Sequence, residues 1–327
     1  MARRVADRLA GATTVAVATH VNGDGDGWGS ACALAYHLRP RGIEVALLAA
    51  TPYPDRFRFL LPPDLEPRLP DPEACDLLAA ADVQVVVDAS EVGRLGEFGP
   101  HYEPQRTVII DHHAVASNPM SAALMFTDAD AAATAELVYD TIAAAGDPLS
   151  PEIAQALYVG LVTDTGSFRY SNATPHAHRL AARLIEAGAD PEALYGPLFA
   201  NVSDAELATL DEALSRLHAE PGPGLTWTTI PLEVTRRHGR LEDYEVVIEH
   251  LRNLQGTRVA VLLRELEDGT VKVSLRSSGS VNVARVASEF GGGGHEKAAG
   301  AVIAGGLAEV SRRLLDACRR ALRNAGP

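Results

Sequence analysis

The chain has 327 residues, 46% of them hydrophobic, a mean hydropathy near zero and a formal charge of −14. That is apolar enough to bury the cores of two domains and too apolar for disorder. The acidity excludes a binder of long duplex nucleic acid, which needs a basic track several phosphates long.

The charge is uneven: residues 221–327 carry about +3 and residues 1–220 about −17. A small anionic substrate is therefore expected, held by metals and by the second half of the chain. Cys32, Cys75 and Cys318 are scattered and odd in number. They suit a reducing cytoplasm, as buried thiols, better than a disulfide framework or a zinc cluster.

Arg3 and Arg4 ahead of residues 9–18 imitate an export signal, but Asp7, Thr13 and Thr14 interrupt it. No charge-free run of about 18 residues follows, so a cytoplasmic protein with no membrane partner is expected. Residues 15–19 read as a strand, and directly after them comes His20-Val21-Asn22-Gly23-Asp24-Gly25-Asp26-Gly27-Trp28-Gly29-Ser30. One imidazole and two carboxylates in a glycine-rich loop form a metal-site signature. Asn22-x-Asp24-x-Asp26-Gly27 also opens like a calcium-binding EF-hand, but Ala33 stands where the bidentate glutamate belongs, which removes calcium. Taken alone, the loop also reads as a surface turn rich in glycine and aspartate.

Residues 31–38 predict a helix, and residues 44–50, 83–87 and 107–110 three further apolar strands. Residues 134–145 predict another helix. The alternation implies an α/β fold whose N-terminal domain has a mostly parallel sheet flanked by helices, with ligands beyond the carboxyl ends of the strands. His20, Asp88 and Asp111-His112-His113 all fall there. Ser150-Pro151-Glu152 starts a helix that runs to Asp164, and Thr174-Pro175 starts another. Ser203-Asp204-Ala205-Glu206 has capping-box spacing and opens a helix to about residue 218, read as an interdomain connector that residues 221–224 end. The expected division is 1–195, a connector over 196–222, and a smaller α/β domain over 223–327.

In that second domain residues 258–266 and 270–276 read as a hairpin turning at Glu267-Asp268-Gly269. Val271, Val273 and Leu275 face one way, Lys272, Ser274 and Arg276 the other. Asn282 caps a helix that stops at Gly291-Gly292-Gly293-Gly294-His295. The glycines make either a loose connector or a loop whose amides approach an anion.

Asp24, Asp26, Asp88, Asp111 and Asp164 gathered at one sheet edge repel each other. At about 4 Å and an effective dielectric of about 20, each like pair costs about 4 kcal/mol. Two divalent ions remove that cost, and mixed oxygen and imidazole ligands suit manganese. His112 and His113, adjacent on an extended segment, point to opposite sides and divide roles. Arg276 alone is a solvated side chain on a strand and His295 an incidental one. With the glycines between them they form what a phosphate pocket requires. Arg169, just past Asp164, is a weaker candidate.

These residues resemble the DHH phosphoesterases over most of the chain. His20, Asp24, Asp26, Gly29 and Ser30 meet the first motif, usually written H-x-x-P-D-x-D-A-x-G-S. Asp88 meets the second, Asp111-His112-His113 the third and Asp164 the fourth. Arg276-Ser277, the glycine run with His295 and Ala298-Ala299-Gly300 resemble the associated C-terminal substrate domain. Length and the glycine-histidine loop are most similar to the bacterial nanoRNase and pAp-phosphatase branch. The resemblance implies that His20, Asp24 and Asp88 hold one ion and Asp26, Asp88, His112 and Asp164 the other, both most simply Mn2+. Asp111 would orient a histidine, and His113, Arg276 and His295 would neutralise phosphate oxygens. Ser277, Gly292, Gly293, Gly294 and Arg169 complete the expected substrate-binding set.

The implied activity is hydrolysis of very short oligoribonucleotides, including dinucleotides, and of pAp. A cyclic- or linear-dinucleotide phosphodiesterase, an inorganic pyrophosphatase and a non-catalytic nucleotide sensor are the alternatives, and a homodimer is left open. Gly23 stands for the usual proline and Gly27 for the usual alanine, which predicts a loosened loop. Trp28 has no role in the pattern and is expected to pack beneath the site.

Overall fold

Five short, mostly apolar runs, the inner ones buried on both faces, build the first sheet: β1 Thr14–Ala18, β2 Glu44–Leu48, β3 Val83–Val87, β4 Thr107–Asp111 and β5 Leu124–Thr127. All neighbours are parallel, in the order β2-β1-β3-β4-β5. The computed structural model describes residues 1–113, 119–200, 203–238 and 244–326. It divides into two units, Met1–Asn201 and Val202–Pro327.

Seven helices are described in the first unit: α1 Ala2–Ala10, α2 Gly25–Leu38, α3 Pro72–Ala80, α4 Thr134–Ala145, α5 Pro151–Asp164, α6 Pro175–Glu186 and α7 Pro191–Phe199. Ser150 and Thr174 cap α5 and α6 with proline in the first turn, as expected from the sequence. Helix α2 departs from expectation by starting at Gly25, because the Asp24 carboxylate accepts the N–H groups of Asp26 and Gly27 and caps it there. The supposed loop is thus largely helix. Its glycines serve close packing: a β-carbon on Gly29 would lie 2.3 Å from the Ala156 carbonyl oxygen of α5. Val15, Val17, Trp28, Leu34, Val85, Ile110, Leu157 and Leu161 share the buried core.

In the second unit, α8 Asp204–Ser215, β6 His218–Glu220, β7 Leu225–Ile230, α9 Leu232–His238, α10 Glu245–Arg252, β8 Val259–Glu265, β9 Thr270–Ser277, α11 Val283–Ser288, β10 Gly293–Gly294, β11 Ala298–Ala304 and α12 Leu307–Asn324 surround a sheet ordered β10-β11-β9-β8-β7-β6. Only the β7–β8 pair is parallel. The expected hairpin is β8–β9, with Val271, Val273 and Leu275 buried and Lys272, Ser274 and Arg276 half-exposed. Helix α8, expected as the interdomain connector, falls within the unit Val202–Pro327, where Ala213 packs with Ile230, Val247 and Leu262. Its capping box of Ser203 and Glu206 is present. On β7, half-buried Trp227 stacks on His218 at 5.2 Å.

Cys32 and Cys318 are buried, whereas Cys75 is only half-buried, against the expectation of three buried thiols. Among the described residues no helix is long and apolar enough to cross a membrane.

Candidate metal centre

Parallel strands deliver their carboxyl ends to one edge, and the chemistry follows from what the sequence places there. His20 comes just after β1, Asp88 just after β3, and Asp111 ends β4 with His112 and His113 behind it. Asp88 has φ +60°, a left-handed backbone that costs a non-glycine residue about 1 kcal/mol or more and recurs at functional sites. His20 Nε2 lies 3.2 Å from one oxygen of Asp88 and 3.7 Å from one of Asp24. His112 Nε2 lies 3.9 Å from Asp26, 3.6 Å from the other Asp88 oxygen and 3.6 Å from Asp164. The potential ligand atoms of His20, Asp24 and Asp88 lie within 4.8 Å of one another, as do those of Asp26, Asp88 and His112. All six expected ligands therefore meet, and Asp88 is common to both groups.

The donor set fits cations on a direct observation. His20 Nδ1 is bonded to the Val21 carbonyl at 2.8 Å, which makes it the protonated nitrogen and leaves Nε2 to face two carboxylates. That Nε2 is buried with no hydrogen-bond partner. Lone pair against carboxylate is repulsive, so a cation belongs between them. With no metal, protons take that place. Burial works against a charged His20, but the carboxylates of Asp24 and Asp88, which accept from the ring once it is protonated, outweigh it and raise its pKa to about 10. Burial likewise opposes a charged His112, and Asp164, Asp26 and Asp88 raise it to about 9. Burial, resisted by His112 and aided by Asp88, lifts Asp164 to about 7, and burial with Asp88 lifts Asp26 well above the carboxylate range. A divalent ion competes with these protons for the same atoms.

Each ligand is held from behind. Asp26 accepts the N–H groups of Thr134 at 2.6 Å and Ala135 at 2.9 Å, and the Thr134 hydroxyl donates to Asp88 at 2.9 Å. Asn172 donates to an Asp164 oxygen at 3.2 Å and to the Ala132 carbonyl at 2.9 Å. Asp111, fully buried, accepts the backbone N–H of His113 at 3.1 Å and its ring Nδ1–H at 2.7 Å. Burial disfavours its charge, yet the His113 bonds hold its carboxyl below the usual range. His113 Nε2 faces the Arg94 guanidinium at 3.2 Å, but its Nδ1 lies 3.5 Å from the same Asp88 oxygen that His112 Nε2 approaches at 3.6 Å, so the two rings, 4.9 Å apart, share a side instead of pointing to opposite sides as expected.

Arg94, Thr134 and Asn172 escaped the sequence reading. Arg94 stands six residues past Asp88, in a stretch with no strand or helix period to aim it. Thr134 was read only as the start of a helix.

The two departures in the first motif have a packing cause. A β-carbon on Gly23 would lie 2.5 Å from Trp28 Nε1, and one on Gly27 would lie 2.1 Å from the Thr19 hydroxyl. Trp28 is 1% exposed, its ring 4.5 Å from that of Tyr53. Thus Trp28 and Thr19 fill the space that a proline and an alanine would take, and the segment is packed rather than loosened.

The remaining expected residues are distributed over the two units. Arg169 is in the first unit, its Nε donating to the Gly166 carbonyl at 2.7 Å. Arg276, Ser277, the glycine run and His295 are in the second. Arg276, half-exposed on β9, donates to its neighbour's carbonyl, Leu275 O, at 3.0 Å. Ser277 is buried and its hydroxyl is given to Val281 O at 2.8 Å. The glycine run is neither a loose connector nor an open cradle of amides: Gly292 N–H goes to Ala287 O, His295 N–H to Ala298 O, and Gly293–Gly294 pair with β11. β-Carbons on Gly292 and Gly294 would lie 2.1 Å and 2.6 Å from backbone oxygens, so these two are glycine because two backbones touch, whereas one on Gly293 would meet nothing within 4 Å. Gly293, Gly294 and His295 are exposed.

Known proteins resemble this chain in sequence and in fold. Residues 14–161 match the model of the DHH family, N-terminal domain, and residues 241–324 that of the DHHA1 domain. The chain is 34% identical to the bifunctional oligoribonuclease and PAP phosphatase NrnA of Thermus thermophilus, over 95% of this chain and 90% of that protein. It is 25% identical to the Bacillus subtilis protein of the same name, over 89% of each. The fold matches that of an exopolyphosphatase-related protein from Bacteroides fragilis, with a TM-score of 0.88 at 24% identity over 99% of this chain and 95% of the other.

Proposed function

Since the chain belongs to the DHH family, with a DHHA1 domain as its second part, we propose that it is a manganese-dependent phosphoesterase of the cytoplasm that hydrolyses RNA fragments of two to a few nucleotides, and pAp to AMP. The observation that carries this reading is Asp88, a buried carboxylate in a left-handed backbone common to two ligand groups. The two relatives named above, which the chain matches along nearly their whole length, supply the substrate class.

His20, Asp24 and Asp88 would hold one ion and Asp26, Asp88, His112 and Asp164 the other. Such a pair supplies an activated water near neutral pH and charge stabilisation for the leaving oxygen. The protein does the rest. Asp111 fixes the His113 tautomer by taking its Nδ1–H, which sets the opposite ring edge beside Arg94. His113, accepting from Arg94 through Nε2, would then hold that guanidinium where it offsets the charge on non-bridging phosphoryl oxygens. Arg276 and His295 would bind a substrate phosphate through charge-assisted hydrogen bonds.

A substrate panel with added manganese tests the proposal. Release of AMP from pAp and of mononucleotides from dinucleotides is expected, with long single-stranded RNA, pyrophosphate and cyclic di-AMP turned over at least about tenfold more slowly, a difference of about 1.4 kcal/mol in barrier. Long RNA degraded as readily as a dinucleotide would overturn the size restriction. Phosphate released from pyrophosphate but not from pAp would overturn the substrate class.

A further inference from the structure

Helix α4 has no cap of its own. Its N-cap residue is Ala133, which offers no side-chain hydrogen bond, so the first amides of the helix need a partner from elsewhere. They find Asp26, on α2: Thr134 N–H reaches one of its oxygens and Ala135 N–H the other. The Thr134 hydroxyl points to a different carboxylate, Asp88. One fully buried residue thus donates to two carboxylates that come from elements far apart in sequence. The turn just before it is tied in too, since Ala131 O accepts from His112 Nδ1 at 3.3 Å and Ala132 O accepts from Asn172, which also holds Asp164.

We propose that Thr134 is a positioning residue whose hydroxyl and amide set the spacing of Asp26 and Asp88, and through it the affinity for the ion these two share with His112. The inference rests on the two-ion reading of the site. The amide is part of the helix, but the hydroxyl can be removed alone. Loss of a hydrogen bond that orients a ligand from behind commonly costs 10- to 100-fold in metal affinity or activity.

The experiment is calorimetric titration of the metal-free full-length protein with manganese chloride, paired with turnover of a dinucleotide across manganese concentrations. Thr134→Val keeps the shape and the amide and removes the hydroxyl. It should bind one of two ions about 10- to 100-fold more weakly, and need that much more manganese for half-maximal rate. At saturating manganese its kcat should return to within several-fold of the wild type, and Thr134→Ser should behave as wild type throughout. A purely structural role would lower the amount of folded protein without moving the half-saturating manganese concentration. Thr134→Ala removes the same hydroxyl where the branched replacement does not fold.

Unchanged manganese affinity in a folded Val or Ala variant overturns the inference while leaving the two-ion reading intact. A Ser variant as weak as Val also overturns it, because the hydroxyl is then not the agent. If neither Val nor Ala folds, Thr134 serves folding and the positioning role is rejected. A wild type that binds no manganese overturns the reading beneath it.

Discussion

In the candidate metal centre of the first unit, Asp26, Asp88 and Asp111 are 1%, 2% and 0% exposed, whereas Gly293, Gly294 and His295 of the second unit stand in solvent. The first group gathers like charges out of water, an arrangement that opposes folding and persists because backbone amides, a threonine hydroxyl and imidazoles are built around it. The second asks little of the fold beyond glycines where two backbones touch. A centre that must place several ligands within about 0.5 Å needs the rigidity of buried strand ends. On the proposed reading, a region that only captures a phosphate can stay at the surface and adapt.

If that contrast is right, the largest effect comes from Asp88. Asp88→Ala removes the carboxylate common to both ligand groups, and dinucleotide turnover should fall by about a thousandfold or more, roughly 4 kcal/mol in barrier, with the circular dichroism spectrum unchanged. Turnover within tenfold of wild type would break the comparison at its strongest point. Next in size, His295→Ala should raise KM for the dinucleotide about tenfold, about 1.4 kcal/mol of binding, and leave kcat within a few-fold. A fall in kcat equal to that in kcat/KM would place His295 in the chemical step instead. The smallest effect concerns stability: metal-free Asp88→Asn should melt below metal-free wild type near neutral pH, by on the order of 1 kcal/mol, because the protonated His20 and His112 lose a carboxylate that raises their pKa. His295→Ala should leave the midpoint where it is, and scanning calorimetry reads both.

Much of the metal centre was legible in the sequence because strands have a fixed period and direction. A hard ligand at the end of an apolar run in a parallel sheet lands at the same edge as every other such ligand, so His20, Asp88 and Asp111 could be grouped from pattern alone. Asp164 was reachable because an apolar helix ends on it. What pattern cannot carry is hydrogen bonding across elements. The trans capping of α4 by Asp26, the Arg94–His113 contact and the Asn172 bridge depend on distances between segments with no shared period. The glycines misled for a related reason. Sequence reads glycine as conformational freedom, but at Gly23, Gly27 and Gly29 it marks space already taken by Trp28, Thr19 and the α5 backbone. At helix α8 the capping box says where the helix starts, not what its apolar face packs on.

Of the two tryptophans in the chain, Trp28 is sealed beneath the first motif and Trp227 is half-buried against His218 in the other unit. Each unit therefore carries its own intrinsic fluorophore in a distinct environment, Trp28 emitting from a dry pocket and Trp227 from a partly wet stack. Denaturant titrations followed by emission wavelength can resolve which unit melts first, with no label attached to the protein.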